Sequence, residues 1–595
     1  MSEAKPFTID RFLGVNKSET ETLLQLGEAS EMSNFLITDD EKLQKQFGYV
    51  HQNEATGQKI NGAWAGSLNG VNHILYARGG KVYKLDGTEI GTIVDSYPTT
   101  FFVTNNIVYI LDGTEMYQWD GTTFSVVAGY VPTVYTAAPP TGGGTMLEGI
   151  NYLTGKKAMK FSGNGSATLY QLNETNINSV DSVYVGGALK TVGTDYTVNL
   201  TAGTISFVSA PATGVNNVMV TWTKVVAGDR QRITNCRHYG GSYYARFWLF
   251  GNHLHRNTRY VSGVTMAGVS DPTYWPKFSD SDVGEYAITD IKTQYSKQLI
   301  WTTGDSSGAS AWYSNSETFT DPVTGIVITL FPVYPINAKV GNVAPGQVQI
   351  ITNNPISIWK GVYKWVSTYV MDEKNAEWMS KRIQRDLDKL DLTKAITWDW
   401  DDKGLYFIAI GKRIWVYNYR VNTRAEDPGA WYILDLPHEP TCFITAEKEL
   451  YFGTAGGQVM KFDETIKTYD GEIIKAVWKM GFYNFGVDWI RKFIQRMYVT
   501  ILPRIKTHIN LTYDTDKGSL QEPVTAAYAL NTFDRMNFAH FSFKTNYSPQ
   551  PFKFKIRAKK IDYFKLIISN DGTDTATVLS ITLPVRSGGE VKNRS

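Results

Sequence analysis

Short apolar runs alternate with polar residues along most of this chain, and Gly- or Asp-rich turns separate them. One unit is HILYARGGKVYKLDG, His73 to Gly87, and a second is NNIVYILDGTEMYQWDGTTFSVV, Asn105 to Val127. Further units begin at Lys297, Lys403 and Lys448, and less regular copies lie near Trp248–Asn252 and Asn353–Trp359. Each joins an apolar strand to a second strand carrying Tyr, Trp or Phe, which predicts a hairpin. The apolar strands start near residues 74, 107, 249, 299, 355, 405 and 450. Most steps are about 33 to 56 residues, compatible with a propeller repeat of about 40 to 50. The pattern predicts an all-β chain built on a β-propeller of about seven blades, with six or eight left open.

The step from 107 to 249 is too long for one repeat and predicts an insertion of about 95 residues. Residues 1–50 lead into the propeller, 51–130 form its first blades, and 131–226 form an inserted small β-sandwich. Residues 227–471 supply the remaining blades. Within the insertion, the Pro/Gly-rich stretch Tyr135 to Gly149 reads as a flexible lead-in. After it come short alternating runs such as AMKFSG, DSVYVGGALK and NVMVTWTKV. Met379, Ile383, Leu387 and Leu390 recur at helical spacing, which predicts an amphipathic helix over residues 372–392. From residue 472 the runs lengthen, as in FIQRMYVTILP, HFSFKT and FKFKIRAKK. They predict a C-terminal antiparallel β domain over 472–595, closing in a polar tail, RSGGEVKNRS.

Composition supports this picture. Of 595 residues, 42% are hydrophobic and 13% aromatic, with 52 Gly, while charged residues are 19%. That excludes a disordered chain and a long coiled coil. No apolar run reaches 18 residues, and Gly325 to Ile336 is broken by Pro332 and Pro335, so no stable membrane insertion is expected. The start, MSEAKPFTIDRFLG, lacks a signal-peptide pattern. Two cysteines, Cys236 and Cys442, form no disulfide framework, which fits folding in a reducing cytosol. Net charge is +2, but residues 473–595 hold 19 Lys+Arg against 9 Asp+Glu, leaving 40 against 48 elsewhere. A near-neutral total therefore hides a strongly basic C-terminal domain.

Catalytic signatures are scarce. No nucleophile elbow, Walker A loop or placed dinucleotide fingerprint occurs, and no cofactor is implied. His253 and His255 would share one face of a strand, but no ligand spacing completes a zinc motif. Asp399–Gly404 is acidic without the spacing of a calcium loop, and reads as a turn. Asp399, Asp401 and Glu377 are the carboxylates that glycoside hydrolysis would use, since sequence says nothing of their separation. Recurrent aromatics (Tyr83, Tyr117, Trp119, Trp312, Tyr313, Trp415 and Phe462) could stack sugars or bases, but their fixed strand position argues for core. Lys553, Lys555, Arg557, Lys559 and Lys560 form one basic group, the first three alternating on one strand face. Arg491, Lys492, Arg496, Arg504 and Lys506 form another. From these, Arg491, Lys492, Arg496, Lys553, Lys555 and Arg557 are the candidate subunit or partner interface. A solvated face, an acidic protein neighbour and nucleic acid are the three readings of it.

The chain opens with Gly14-Val15-Asn16, the block Leu24 to Ala29, Asn34, and Lys45-Gln46-Phe47-Gly48-Tyr49. These segments resemble phage tail nozzle proteins, the tail tubular or DNA-stabilising proteins of short-tailed phages. The stretches LFGNHLHRNTRYVSG and SDPTYWP (Ser270 to Pro276) resemble the family too. The insertion resembles β modules of phage tail-fibre and tail-tube proteins. The resemblance implies a structural virion protein made in the host cytoplasm, a hexameric ring below a portal adaptor ring. It further implies a wall that closes and then conducts the genome channel, carries tail fibres or spikes, and lets genomic DNA pass without sequence specificity. No enzymatic activity is implied, and the basic domain is expected to face protein. A host-receptor-binding or glycan-degrading tail propeller is the alternative.

Overall fold

The computed structural model describes residues 3–304, 310–320, 322, 327–366, 373–421, 429–504, 506–529 and 548–590. Among the described residues the chain is all-β, with helix confined to single turns. It forms two compact units, one of residues 61–346 and 367–375, the other of residues 1–60, 347–366 and 376–595.

Among its described residues the first unit holds four four-stranded antiparallel meanders. Their second strands are Val71–Arg78, Ile107–Leu111, Arg246–Phe250 and Lys297–Thr302. Each is among the most buried strands of its sheet, because a central strand is covered on both faces. Between the second and third meanders lie two further sheets over Thr133–Thr223, one of six strands and one of three. They share a core of Met159, Phe161, Tyr170, Val183, Phe207 and Trp222. The supposed flexible lead-in belongs to this module. Thr133–Ala138 pairs in parallel with Lys156–Gly163, and Thr145–Met146 folds back onto it. The Pro139–Gly144 turn is local, and the ladder on either side orders the rest.

The second unit holds three more meanders, with second strands Asn354–Ile358, Leu405–Ile410 and Glu449–Thr454. The last is completed by an N-terminal strand: Gly48–His51 pairs with Val459–Asp463. Two larger sheets follow. One has the order Phe35–Ile37, Leu43–Lys45, Thr577–Glu590, Ile490–Ile501, Gln550–Ile561, with Lys5–Ile9 also on Thr577–Glu590. The other runs Ala29–Ser33, Ala476–Met480, Phe564–Asn570, Lys506–Thr515, Gly518–Ala529. Arg586–Glu590 continue a strand, so that half of the expected polar tail is sheet. Residues 591–595, the expected strand HFSFKT and Asp372 lie outside the described residues.

The helix expected over 372–392 does not form. Ala376–Trp378 is the fourth strand of a meander, paired with Tyr363–Trp365. Beyond it come a 3-10 turn, Lys381–Ile383, and one α turn, Gln384–Leu387. The ladder takes the backbone of Ala376–Trp378, and the Ser380 hydroxyl accepts from Val362 N–H at 2.9 Å, tying the next turn to the same sheet. Met379, Ile383 and Leu387 are nonetheless buried. Their spacing reported burial correctly and backbone geometry wrongly.

Candidate interaction surface

The sheet carrying Gln550–Ile561 alternates strictly at its end strand. Phe554, Ile556 and Ala558 are buried, while Lys553, Lys555, Arg557 and Lys559 are exposed. Period-two alternation puts all four cations on the outer face. The neighbouring strand, Ile490–Ile501, breaks register between Lys492 and Phe493 and again between Ile494 and Arg496. Such bulges bend a strand and re-aim its side chains. Here they bring Arg496 to the surface directly opposite Lys555. In the same way Phe493 lies between Lys559 on one side and Arg586 on the other, and Tyr498 between Lys553 and Thr582. The outer face thus carries six exposed cations (Arg496, Lys553, Lys555, Arg557, Lys559 and Arg586) around two half-buried aromatic rings. Among the described residues none of the six cationic side chains has an ion-pair or hydrogen-bond partner. Like charges directly opposite across a ladder are destabilising, so this face carries an electrostatic cost that an acidic counter-surface would relieve.

Of the predicted interface residues, Lys492 does not lie on this exposed face. Lys492 is buried; its ammonium donates to the carbonyls of Val487 and of Asp562, the latter at 3.1 Å. Burial pushes that ammonium below its usual range. It fastens the start of its own strand. Arg491 is half-buried, with its Nε sealed from solvent. Arg504 and Lys506 line a cleft with residues of other strands. Arg586, on the same face as the lysines, was hidden in what reads as a tail.

The other candidates resolve as follows. His253 and His255 sit in a turn, where Asn252 Oδ1 accepts from the N–H groups of Leu254 and His255. They share no strand face, because Asn252 bends the chain before a strand can form. His253 stacks on Tyr97 at 5.6 Å. Among the described residues no group of three metal-capable side chains converges, and no helix is long and apolar enough to cross a membrane. Trp119, Trp415, Tyr117 and Phe462 are buried. Tyr83 stacks on Tyr76, and Trp312 and Tyr313 are half-buried.

Glu377 is exposed opposite Lys364, on a different sheet from Asp399. Asp399 and Asp401 meet at Tyr419, whose hydroxyl donates to Asp399 at 3.0 Å and lies 3.5 Å from Asp401. Burial lifts the Asp399 carboxyl to about 6; the Tyr419 bond opposes this and Asp401 adds to it. A carboxyl with a raised folded value holds its proton more tightly in the native state. Its contribution is therefore full below about pH 4 and is lost as pH rises through about 6. Asp399→Asn is expected to stabilise the protein at pH 7 by about 2 kcal/mol after discounting for partial solvent access. The gain should vanish near pH 3.5, as denaturant midpoints at the two pH values would show.

No family model matches the chain, and no curated protein matches it. Among solved structures, BamB from Moraxella catarrhalis is similar at 9% identity and a TM-score of 0.30, over 78% of this chain and 97% of that one. The computationally designed Ika8 protein is similar at 11% identity and a TM-score of 0.29, over 70% and 99%. An exo-beta-1,3-galactanase from Phanerochaete chrysosporium follows at 8% identity and a TM-score of 0.21, over 58% and 95%.

Proposed function

We propose that this chain is a structural wall subunit of a short-tailed phage: a tail nozzle protein that assembles into a ring, closes the genome channel and conducts DNA at ejection. In this reading the seven meanders are the blades of a propeller, the module over Thr133–Thr223 is an attachment device, and the ring is six-fold, seated on a portal adaptor. The observation that carries it is the unneutralised cationic face around Arg496 and Lys555. Such a face suits a heterologous interface, in which one patch of each subunit meets a different patch of the next and the rotation closes. Its partner is then the acidic remainder of a neighbouring copy, or the adaptor. Exposed ion pairs are individually weak and screened by salt, so the face contributes register and rate of association more than affinity.

The test is charge reversal. The purified chain, alone and with its adaptor, should form rings in negative stain. Lys553→Glu, Lys555→Glu and Arg557→Glu together should abolish them without moving the melting temperature by more than about 2 °C. Assembly rate should also fall steeply with added salt. Rings indifferent to the triple change would remove the basis for the interface.

A second reading, a glycan-acting tail protein, is favoured by one observation, the raised carboxyl of Asp399 beside Asp401. It requires that the purified chain shorten a host surface polysaccharide and that Asp399→Asn abolish this. A solitary subunit with that activity would replace the wall-subunit reading.

A further inference from the structure

The second unit contains a cleft of about 1100 Å³. One wall is formed by Leu36–Asp39 and Gln44–Phe47, another by the Thr573–Thr577 segment, and Arg420, Lys467, Arg504 and Lys506 reach it from elsewhere. Its size is at the upper end of small-molecule sites.

The charges on its walls do not balance. Most of the ionised groups are committed. The Lys45 ammonium donates to Asn570 Oδ1 and Gly572 O, both at 2.6 Å. Lys403 pairs with Glu464. Arg420 holds the carbonyls of Asp401 and Asp402 and lies 3.9 Å from Asp39. Asp574 pairs with His508 at 2.7 Å. Of the cleft's anions, Asp402 alone has no side-chain partner among the described residues. Arg504 and Lys506 are left over. Neither side chain has a partner among the described residues, both are exposed, and both line the cleft with Lys467. Lys467 donates to the Glu464 carbonyl, which neutralises no charge. Burial holds its ammonium below the usual range; the Glu464 carboxylate opposes this and Arg504 adds to it. Three cations without an ion-pair partner among the described residues therefore line the cleft, and Lys467 lies close enough to Arg504 to feel its charge.

An adjoining segment supplies hydroxyls. Thr573, Thr575 and Thr577 all line the cleft; Thr573 lies in a bend, Thr575 bridges to Thr507 beside Lys506, and Thr577 opens a strand. None of the three hydroxyls has a partner among the described residues. A guanidinium fork, two ammoniums and nearby hydroxyl donors form a set matched to phosphoryl oxygens: the fork binds two oxygens at once, and the ammoniums supply charge.

We propose that this cleft binds a phosphate-bearing ligand, with Arg504, Lys506 and Lys467 on the phosphoryl oxygens and the cleft-lining threonines as hydroxyl donors. The group could arrive on a free oligophosphate or nucleotide, or as a phosphodiester backbone; the recognition chemistry is shared. It stands apart from the cationic sheet face and does not depend on the wall-subunit reading.

Calorimetric titration of the full-length chain with inorganic pyrophosphate tests it. One saturable site per chain is expected, weakened at least tenfold by Arg504→Gln or Lys506→Gln and retained by Lys506→Arg. Both glutamine changes are at exposed positions, and an unchanged melting temperature will confirm that they fold. Titration with ATP and with a short single-stranded oligonucleotide then separates the sources: tighter ATP binding assigns a free nucleotide, tighter oligonucleotide binding a backbone. No saturable binding beyond that of sulfate at equal ionic strength overturns the proposal, as does equal binding by wild type and both glutamine variants.

Discussion

A chain lacking residues 1–51 is expected to lose the folded second unit entirely. That stretch reads as a preamble, yet it supplies strands to three sheets. Lys5–Ile9 and Leu43–Lys45 both lie on Thr577–Glu590. Ala29–Ser33 pairs with Ala476–Met480, and Gly48–His51 completes the meander of Val459–Asp463. Phe12, Val15, Met32, Phe35, Ile37, Leu43 and Tyr49 are all at most 1% exposed. Each such burial is worth about 1.5–3 kcal/mol, so the stretch contributes on the order of 10 kcal/mol, comparable with the whole stability of a typical domain. Removing it also bares the edges of the remaining strands, which invites aggregation. Limited proteolysis and near-ultraviolet circular dichroism would show the loss. A truncated chain with a native-like, protease-resistant C-terminal half would contradict the assignment.

A single-residue version is sharper. A Cβ at Gly48 would lie 1.9 Å from the carbonyl oxygen of Thr468, a backbone atom that cannot swing aside. Gly48→Ala should therefore cost about 3 kcal/mol or more, at the upper end for overpacking, while Gly589→Ala should cost little because nothing stands within 4 Å there and its φ is not left-handed.

Local pattern carried far in this chain and stopped at register. The seven apolar strands that begin each repeat are legible because a doubly covered strand must be apolar over most of its length. The partners of the N-terminal strands are not legible. Ala29–Ser33 finds its mate some 450 positions away, and no local feature encodes that choice. The cationic face was half legible for a related reason. Alternation along FKFKIRAKK places Lys553, Lys555 and Arg557 correctly. The facing strand shifts register between Ile494 and Arg496, where Gln495 and Arg496 are both exposed, so counting by twos does not tell which side Arg496 takes. Lys492 turns inward in plain alternation with Phe493 and Ile494. Arg586 escaped notice because Ser587, Gly588 and Gly589 give its strand the composition of a tail.

The root of the inserted module holds the second large effect. Glu148 is 6% exposed and accepts three donors. Its Oε1 takes the Tyr130 hydroxyl and the Met266 N–H, each at 3.0 Å, and its Oε2 takes the Thr133 N–H at 2.6 Å. Thr133 opens the first strand of the module, and Met266 lies in the loop after the third meander's Thr258–Val261 strand, so one carboxylate ties the module to the sheet that receives it. Glu148→Ala leaves two backbone N–H groups without their acceptor. Each unsatisfied buried donor costs about 1–3 kcal/mol, and the expected loss is about 3 kcal/mol. Glu148→Gln separates the contributions. With its carbonyl oxygen in the Oε1 position it still serves Tyr130 and Met266, but its amide nitrogen confronts the Thr133 N–H. It should cost about half as much and lose amide-exchange protection at Thr133 while keeping it at Met266. Denaturant unfolding and hydrogen exchange read these outcomes directly. Equal losses for the two variants, or protection retained at Thr133 in Glu148→Ala, would mean that the module is rooted by its Asn151 contacts instead. The Asn151 amide donates to the carbonyls of Tyr130 and Thr273, and its oxygen accepts from Trp275 N–H.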